Sequence, residues 1–199
     1  MDYKQKIIGT AALMFRTYGI RAVTMDMLAN ELGISKRIIY EKFRDKDELL
    51  AEVLKLMAVK QKEAVVKVFS ESENVIAAIF RLFDMVCEHF RNMSPAFRLD
   101  MEKYYNYIVK NLLESYELLY TTNNLEMLKR GIKEGIFRED IDITNQCLNE
   151  VLRMSGERDI YSSENNRNVF RDFYVNYLRG ISTPKGLELI NHYNNKLTF

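Results

Sequence analysis

Five basic residues, Lys36, Arg37, Lys42, Arg44 and Lys46, stand close together against two acids, Glu41 and Asp45. The local charge is +3, in a chain whose net charge is only +1. The chemistry open to such a cluster is recognition of a polyanion. An arginine fork meets O6 and N7 of guanine with two parallel hydrogen bonds, whereas a lysine offers a point charge suited to phosphate. By type, Arg37 is the base-reading candidate. Lys36, Lys42 and Lys46 suit phosphate oxygens, as does the hydroxyl of Tyr40. Ser35 and Thr24 add hydroxyls, and the free amides of a helical first turn beside Thr24 can clamp one more phosphate. Glu41 has two open readings: it accepts a hydrogen bond from the amine of cytosine, or it pairs with Arg37 one turn earlier. A basic run alone is commonly a solvated face, so the elements that carry it decide.

Those elements are two short helices about a turn. Thr24 is the N-cap of a helix over about Met25–Leu32, with Asp26 near its positive end. Gly33 ends it, and Ser35 caps a second helix over about Lys36–Phe43. Met25, Leu28, Ala29, Ile34, Ile39 and Phe43 supply apolar contacts. Ala29 is small enough for close approach, and Gly33 permits the sharp turn. This is a helix-turn-helix pattern, in which the second helix enters the major groove and offers its first residues to base edges. A preceding helix, Tyr3–Tyr18, carries Ile7, Ile8, Ala11, Ala12 and Phe15 at helical spacing and stops at Gly19.

Beyond Asp45 the pattern changes to long helices. Asp45 or Lys46 opens one whose stripe runs through Leu50, Val53, Leu54, Met57, Ala64, Val65 and Val68. Ser70–Asn74 is a polar turn, and a helix from Val75 to Phe90 follows. Pro95 interrupts the chain; a stretch from about Phe97 to Glu134 comes next, broken once near Lys103 and stopped by Gly135. Two more helices fall at about Thr144–Gly156 and Asn166–Ile181, the second stopped by Pro184. A short helix at about Lys185–Asn194 ends the chain. No strand pattern competes. The expected class is all-α, about nine to ten helices: a three-helix helix-turn-helix domain over 1–46 and a larger helical body over 47–199.

Composition narrows the function classes. Two prolines and eight glycines in 199 residues favour long helices, and 47% hydrophobic with 29% charged residues is ordinary for a globular chain. The polar start Met1–Lys6 resembles no signal peptide and no apolar run is long enough for a membrane span, so a cytoplasmic location is expected. Cys87 and Cys147 match no zinc or redox spacing and are read as reduced thiols, with no metal or cofactor expected. No nucleophile–base pair or phosphate-cradling loop appears, so an enzyme is not expected.

The stretch from Ile7 to Leu50 resembles the DNA-binding domain of the TetR family of bacterial regulators. The resemblance is carried by AALMF-x-x-YG at Ala11–Gly19, VTMDMLANELGIS at Val23–Ser35, and KRIIYEKFRDKDELL at Lys36–Leu50. Within the last, Ile39, Tyr40, Phe43, Lys46 and Leu49 give a specific spacing. GIKEGIFREDID at Gly131–Asp142 resembles a recurrent element before the family's last two core helices. Ile38 and Glu41 depart from the family's usual smaller and uncharged or aromatic residues. The resemblance implies an Ω-shaped homodimer on a palindromic double-stranded operator, with Tyr40 and Lys46 on phosphates and Lys36 and Arg37 at contact positions. It also implies a small-molecule effector held in the body and a four-helix bundle between partners.

In the body, aromatic and methionine residues offer candidate pocket positions at Phe80, Phe83, His89, Met101, Tyr104, Tyr107 and Tyr116; the same spacing suits plain core packing. Candidate dimer contacts are Leu148, Val151 and Leu152 on one helix and Phe170, Phe173, Tyr174 and Tyr177 on the next. A ligand-released repressor is the leading reading. A regulator without an inducer and a helical adaptor without DNA binding stand as alternatives.

Overall fold

Ile7, Ile8, Ala11, Met14 and Phe15 share one buried stripe, and that spacing makes Tyr3–Tyr18 an amphipathic helix, α1. The computed structural model describes residues 3–141 and 164–196. Within them lie α2 (Met25–Leu32), α3 (Lys36–Tyr40), α4 (Lys46–Glu71), α5 (Val75–Arg91), α6 (Pro95–Lys103) and α7 (Asn106–Lys133). After the undescribed stretch come α8 (Glu164–Ile181) and α9 (Pro184–Lys196). Among the described residues there is no strand, only an isolated bridge between Phe137 and Ser182. The fold is all-α, as its breaker-poor composition implies. The helix expected at about Thr144–Gly156 lies outside the described residues.

The chain divides into two compact units, one formed by 1–64 with 92–117, the other by 65–91 with 118–199. The core of the first joins the α1 stripe to Leu28 and Ala29 of α2, Ile39 and Phe43 around α3, Leu49, Leu50, Val53 and Leu54 of α4, and Phe97 of α6. In the second, Val75, Ile76, Ile79 and Phe80 of α5 pack with Met127 and Leu128 of α7, Ile136 and Phe137, Val175 and Leu178 of α8, and Ile190 of α9.

Two prolines act differently from the sequence expectation. Both open a helix, as the first residue of α6 and of α9. Proline lacks the N–H that a helical first turn leaves unpaired, and its fixed φ suits that position. The residue before each supplies the cap: Ser94 Oγ accepts from the Phe97 amide at 3.1 Å, and Thr183 Oγ1 from the Gly186 amide at 3.3 Å. The break near Lys103 is observed between α6 and α7.

One ion pair ties helix ends together in the second unit. Arg130 Nε donates to Glu134 at 2.6 Å. The other guanidinium nitrogens donate to the backbone carbonyls of Phe69 and, at 2.7 Å, Ser72. Glu134 in turn accepts from the Val75 amide at 2.8 Å. The pair thus satisfies carbonyls leaving α4 and an amide opening α5, groups that helix ends leave without intrahelical partners. Nearby, Gly131 is required because the Phe137 ring lies where its Cβ would be, 2.1 Å away.

Candidate DNA-binding surface

The turn between α2 and α3 is built by its capping chemistry. Thr24 is extended, and its Oγ1 accepts from the Met27 amide at 3.1 Å. At the other end Gly33 is left-handed, with φ 64°. Its amide donates to Asn30 at 3.1 Å, and the Ile34 amide donates to Ala29 at 3.0 Å. This is a Schellman close, which turns the chain sharply and needs a residue tolerant of positive φ. α3 is shorter than expected, five residues ending at Tyr40 rather than Phe43. The Lys42 and Phe43 amides both bond to the Ile39 carbonyl, at 3.0 and 2.9 Å, and this tightened turn brings Phe43 into the core. Ser35 occupies the N-cap position, but its side chain makes no capping bond. The residue is exposed.

With Ile39 and Phe43 buried, the opposite face of α3 is left in water. Ser35, Lys36, Arg37, Tyr40, Glu41 and Lys42 are all exposed. So is Thr24, at the start of α2. Three of the cations there, Lys36, Arg37 and Arg44, are paired. Lys36 Nζ lies 2.6 Å from Asp26, whose carboxylate holds the ammonium pKa above its ordinary value. Arg37 Nε donates to Glu41 at 3.1 Å, which realises the second of the two readings of Glu41. Arg44 Nε donates to Asp45 at 2.8 Å. Exposed pairs of this kind are worth little in water, so phosphate or a base can take the acid's place cheaply.

Lys46 is placed differently from its neighbours. It is half-buried, and its ammonium donates to the Val23 carbonyl at 2.5 Å and sits 5.9 Å from the centre of the Phe15 ring. Burial pushes its pKa down. It ties the first residue of α4 to the segment entering α2, so one of its donors is committed to the fold.

The first unit also contains contacts that sequence patterns did not single out. Asp100 of α6 accepts from the Arg21 amide at 2.8 Å. The Arg21 guanidinium stacks 4.1 Å from the Tyr104 ring centre. Gly19, with φ 89°, lets α6 approach: a Cβ there would lie 2.9 Å from that of Ala96. Tyr107 donates to Asp47, and this bond, before any other cause, pushes the phenol pKa up to about 12. These partners lie 79 and 60 positions apart, beyond any local signal.

The candidate pocket residues divide between the two units. Met101, Tyr104 and Tyr107 belong to the first, where the two tyrosines are engaged as just described. Phe80, Phe83 and His89 lie on α5 in the second, where Phe80 stacks on Tyr193 at 6.2 Å. The side chain of Tyr116 lies outside the described residues. Of the candidate dimer contacts, Leu148, Val151, Leu152 and the Phe170 side chain also lie outside them. Phe173 is 47% exposed and Val169, one turn earlier, 63%. Tyr174 and Tyr177 are half-buried, beside buried Val175 and Leu178. Among the described residues no cluster of potential metal ligands occurs, and no helix is long and apolar enough to cross a membrane.

Residues 7–53 match the family model described as bacterial regulatory proteins, tetR family. The chain is 33% identical over 93 residues to the HTH-type transcriptional regulator YhgD of Bacillus subtilis, covering 45% of this chain and 49% of that one. It therefore spans about half the length of that relative. It is 24% identical over 146 residues to the HTH-type transcriptional repressor KstR2 of Mycobacterium tuberculosis, covering 69% of this chain and 70% of the other. A solved transcriptional regulator from Saccharomonospora viridis, in complex with choline, superposes with a TM-score of 0.66 at 19% identity, covering 92% of this chain and 98% of that one. The helix-turn-helix described above lies within the segment that the family model matches, and over residues 7–53 this chain is similar to the bacterial regulatory proteins of the tetR family.

Proposed function

We propose that the protein is a transcriptional repressor that binds a palindromic operator as a homodimer and releases it when a small molecule binds the body. The observation that carries the DNA-binding part is the sidedness of α3: Ile39 is fully buried while Ser35, Lys36, Arg37 and Tyr40 stand in solvent. Arg37 addresses a guanine, and Lys36, Tyr40, Lys42 and Thr24 hold phosphates on either side. Lys46 braces the segment and adds positive charge to it. Residues 1–46 address DNA; residues 47–199 regulate and dimerise. A protein of this kind works in the cytoplasm, where its operator is.

Dimer formation is supported by the outward apolar pair Val169 and Phe173 on α8, residues a monomer gains nothing by exposing. Repression is supported by the likeness to KstR2, and ligand release by the choline-bound neighbour. For release, the effector must bind the DNA-incompetent state more tightly than the DNA-bound one.

In vitro selection of bound DNA by the full-length protein tests this reading. The expected product is a two-fold symmetric sequence. Arg37→Ala should bind it about 1–3 kcal/mol more weakly, with preference relaxed at one position per half-site. Salt-independent binding, or an Arg37→Ala variant that selects the wild-type sequence unchanged, would falsify the assignment of α3.

A further inference from the structure

We infer that Glu41 is a positioning residue for base readout: it holds the Arg37 guanidinium edge-on to the groove and keeps it off the phosphates. The inference deepens the DNA-binding reading above and rests on it.

The geometry is specific about which atoms are used. Glu41 Oε1 accepts a hydrogen bond from Arg37 Nε at 3.1 Å, which leaves the terminal guanidinium nitrogens available on a side chain 87% exposed. Those two nitrogens form the end of the fork that matches N7 and O6 of one guanine. The same two residues are also joined through the backbone, where the Glu41 amide donates to the Arg37 carbonyl at 2.9 Å. The turn that follows Glu41 is anchored by Ile39 and Phe43, both buried in the first core. The carboxylate therefore stands on a fixed support, and a flexible arginine gains a fixed direction from it. Preorganisation of this kind lowers the ordering cost of binding.

Charge adds a second effect. A bare arginine on this face is drawn first to phosphate, the densest negative charge on the duplex. A carboxylate in contact with Arg37 repels the full charge of a phosphate more strongly than the partial charges of guanine N7 and O6, so the pair sorts Arg37 away from the backbone and toward guanine. Lys36 has a different counter-ion, Asp26, on another helix, and its compact ammonium has no fork to orient. Glu41 thus sets the direction of a planar donor group beside α3, as Asp45 does for Arg44 further along the chain.

The experiment selects DNA with the wild-type protein and with Arg37→Ala, Glu41→Ala and Glu41→Gln, and then measures affinity for the selected site, for its single-base variants and for unrelated duplex. Arg37→Ala defines the position that Arg37 reads. Glu41→Ala should lower discrimination at that same position about five-fold or more, and raise affinity for unrelated duplex. Glu41→Gln keeps an acceptor and should retain most of the discrimination. Unchanged discrimination at that position in Glu41→Ala overturns the inference. So does a loss confined to a different position, which would make Glu41 a direct reader of cytosine. If Arg37→Ala alters no position, the DNA-binding assignment of α3 fails, and this inference falls with it.

Discussion

Arg37–Glu41 and Arg130–Glu134 are the same pair of residue types at the same i,i+4 spacing, in two different units. In the first pair the side chains are 87% and 54% exposed; in the second they are 22% and 24% exposed. The surroundings differ accordingly. Arg37 has a single acid partner, while Arg130 also holds two backbone carbonyls and its glutamate a backbone amide. An exposed pair exchanges its partner at little cost, which suits a surface that must trade carboxylate for nucleic acid. A half-buried pair wired to backbone groups has no substitute partners, so breaking it leaves several groups unsatisfied. Sequence spacing alone does not separate a recognition device from a structural clamp; burial does.

That contrast predicts a graded series. The largest effect should come from Arg130→Met, which strips partners from Glu134, Phe69 and Ser72. Chemical denaturation should show a loss of about 2 kcal/mol, as a charged group and two carbonyls lose their hydrogen-bond partners. A loss below about 1 kcal/mol would erase the distinction between the two pairs. Lys46→Met is the intermediate case, because Lys46 is half-buried and bonded to one carbonyl. Stability should fall by about 1 kcal/mol. Affinity should weaken for every DNA sequence alike, with a flatter salt dependence, as removal of a cation near the duplex requires. The smallest stability change belongs to Asp26→Asn, which frees Lys36. Thermal melting should move by less than about 2 °C, as expected for an exposed pair. Duplex affinity at low salt should nevertheless rise a few-fold, as one acid leaves the DNA face.

The sequence made the recognition segment legible because its geometry demands particular residue types. Thr24 must cap, Gly33 must be left-handed, and Ile39 and Phe43 must turn inward. Such needs are local and leave local marks. Partnerships across the fold leave none: the Arg21–Asp100 and Arg130–Phe69 bonds join positions 79 and 61 apart. The apolar spacing of Ile39 and Phe43 fits a longer helix as well as the tight turn that is present, so spacing alone does not place the end of α3 at Tyr40. Proline reads first as a terminator, yet Ser94–Pro95 and Thr183–Pro184 each carry a cap followed by a first helical residue, a signal that can be read from sequence. The Arg37–Glu41 spacing was visible, but which of its two readings holds depends on rotamers that spacing does not fix.

The opening turns of α4 share their core with α1, α2 and α3 through Leu49, Leu50, Val53 and Leu54. Anyone recombining this protein with a relative should therefore place the crossover well downstream of the recognition segment. A chimera exchanging only the first 46 residues would set a foreign partner against three leucines and a valine shaped for the native one. Inherited modules of this kind are bounded by shared packing rather than by where the last DNA contact falls.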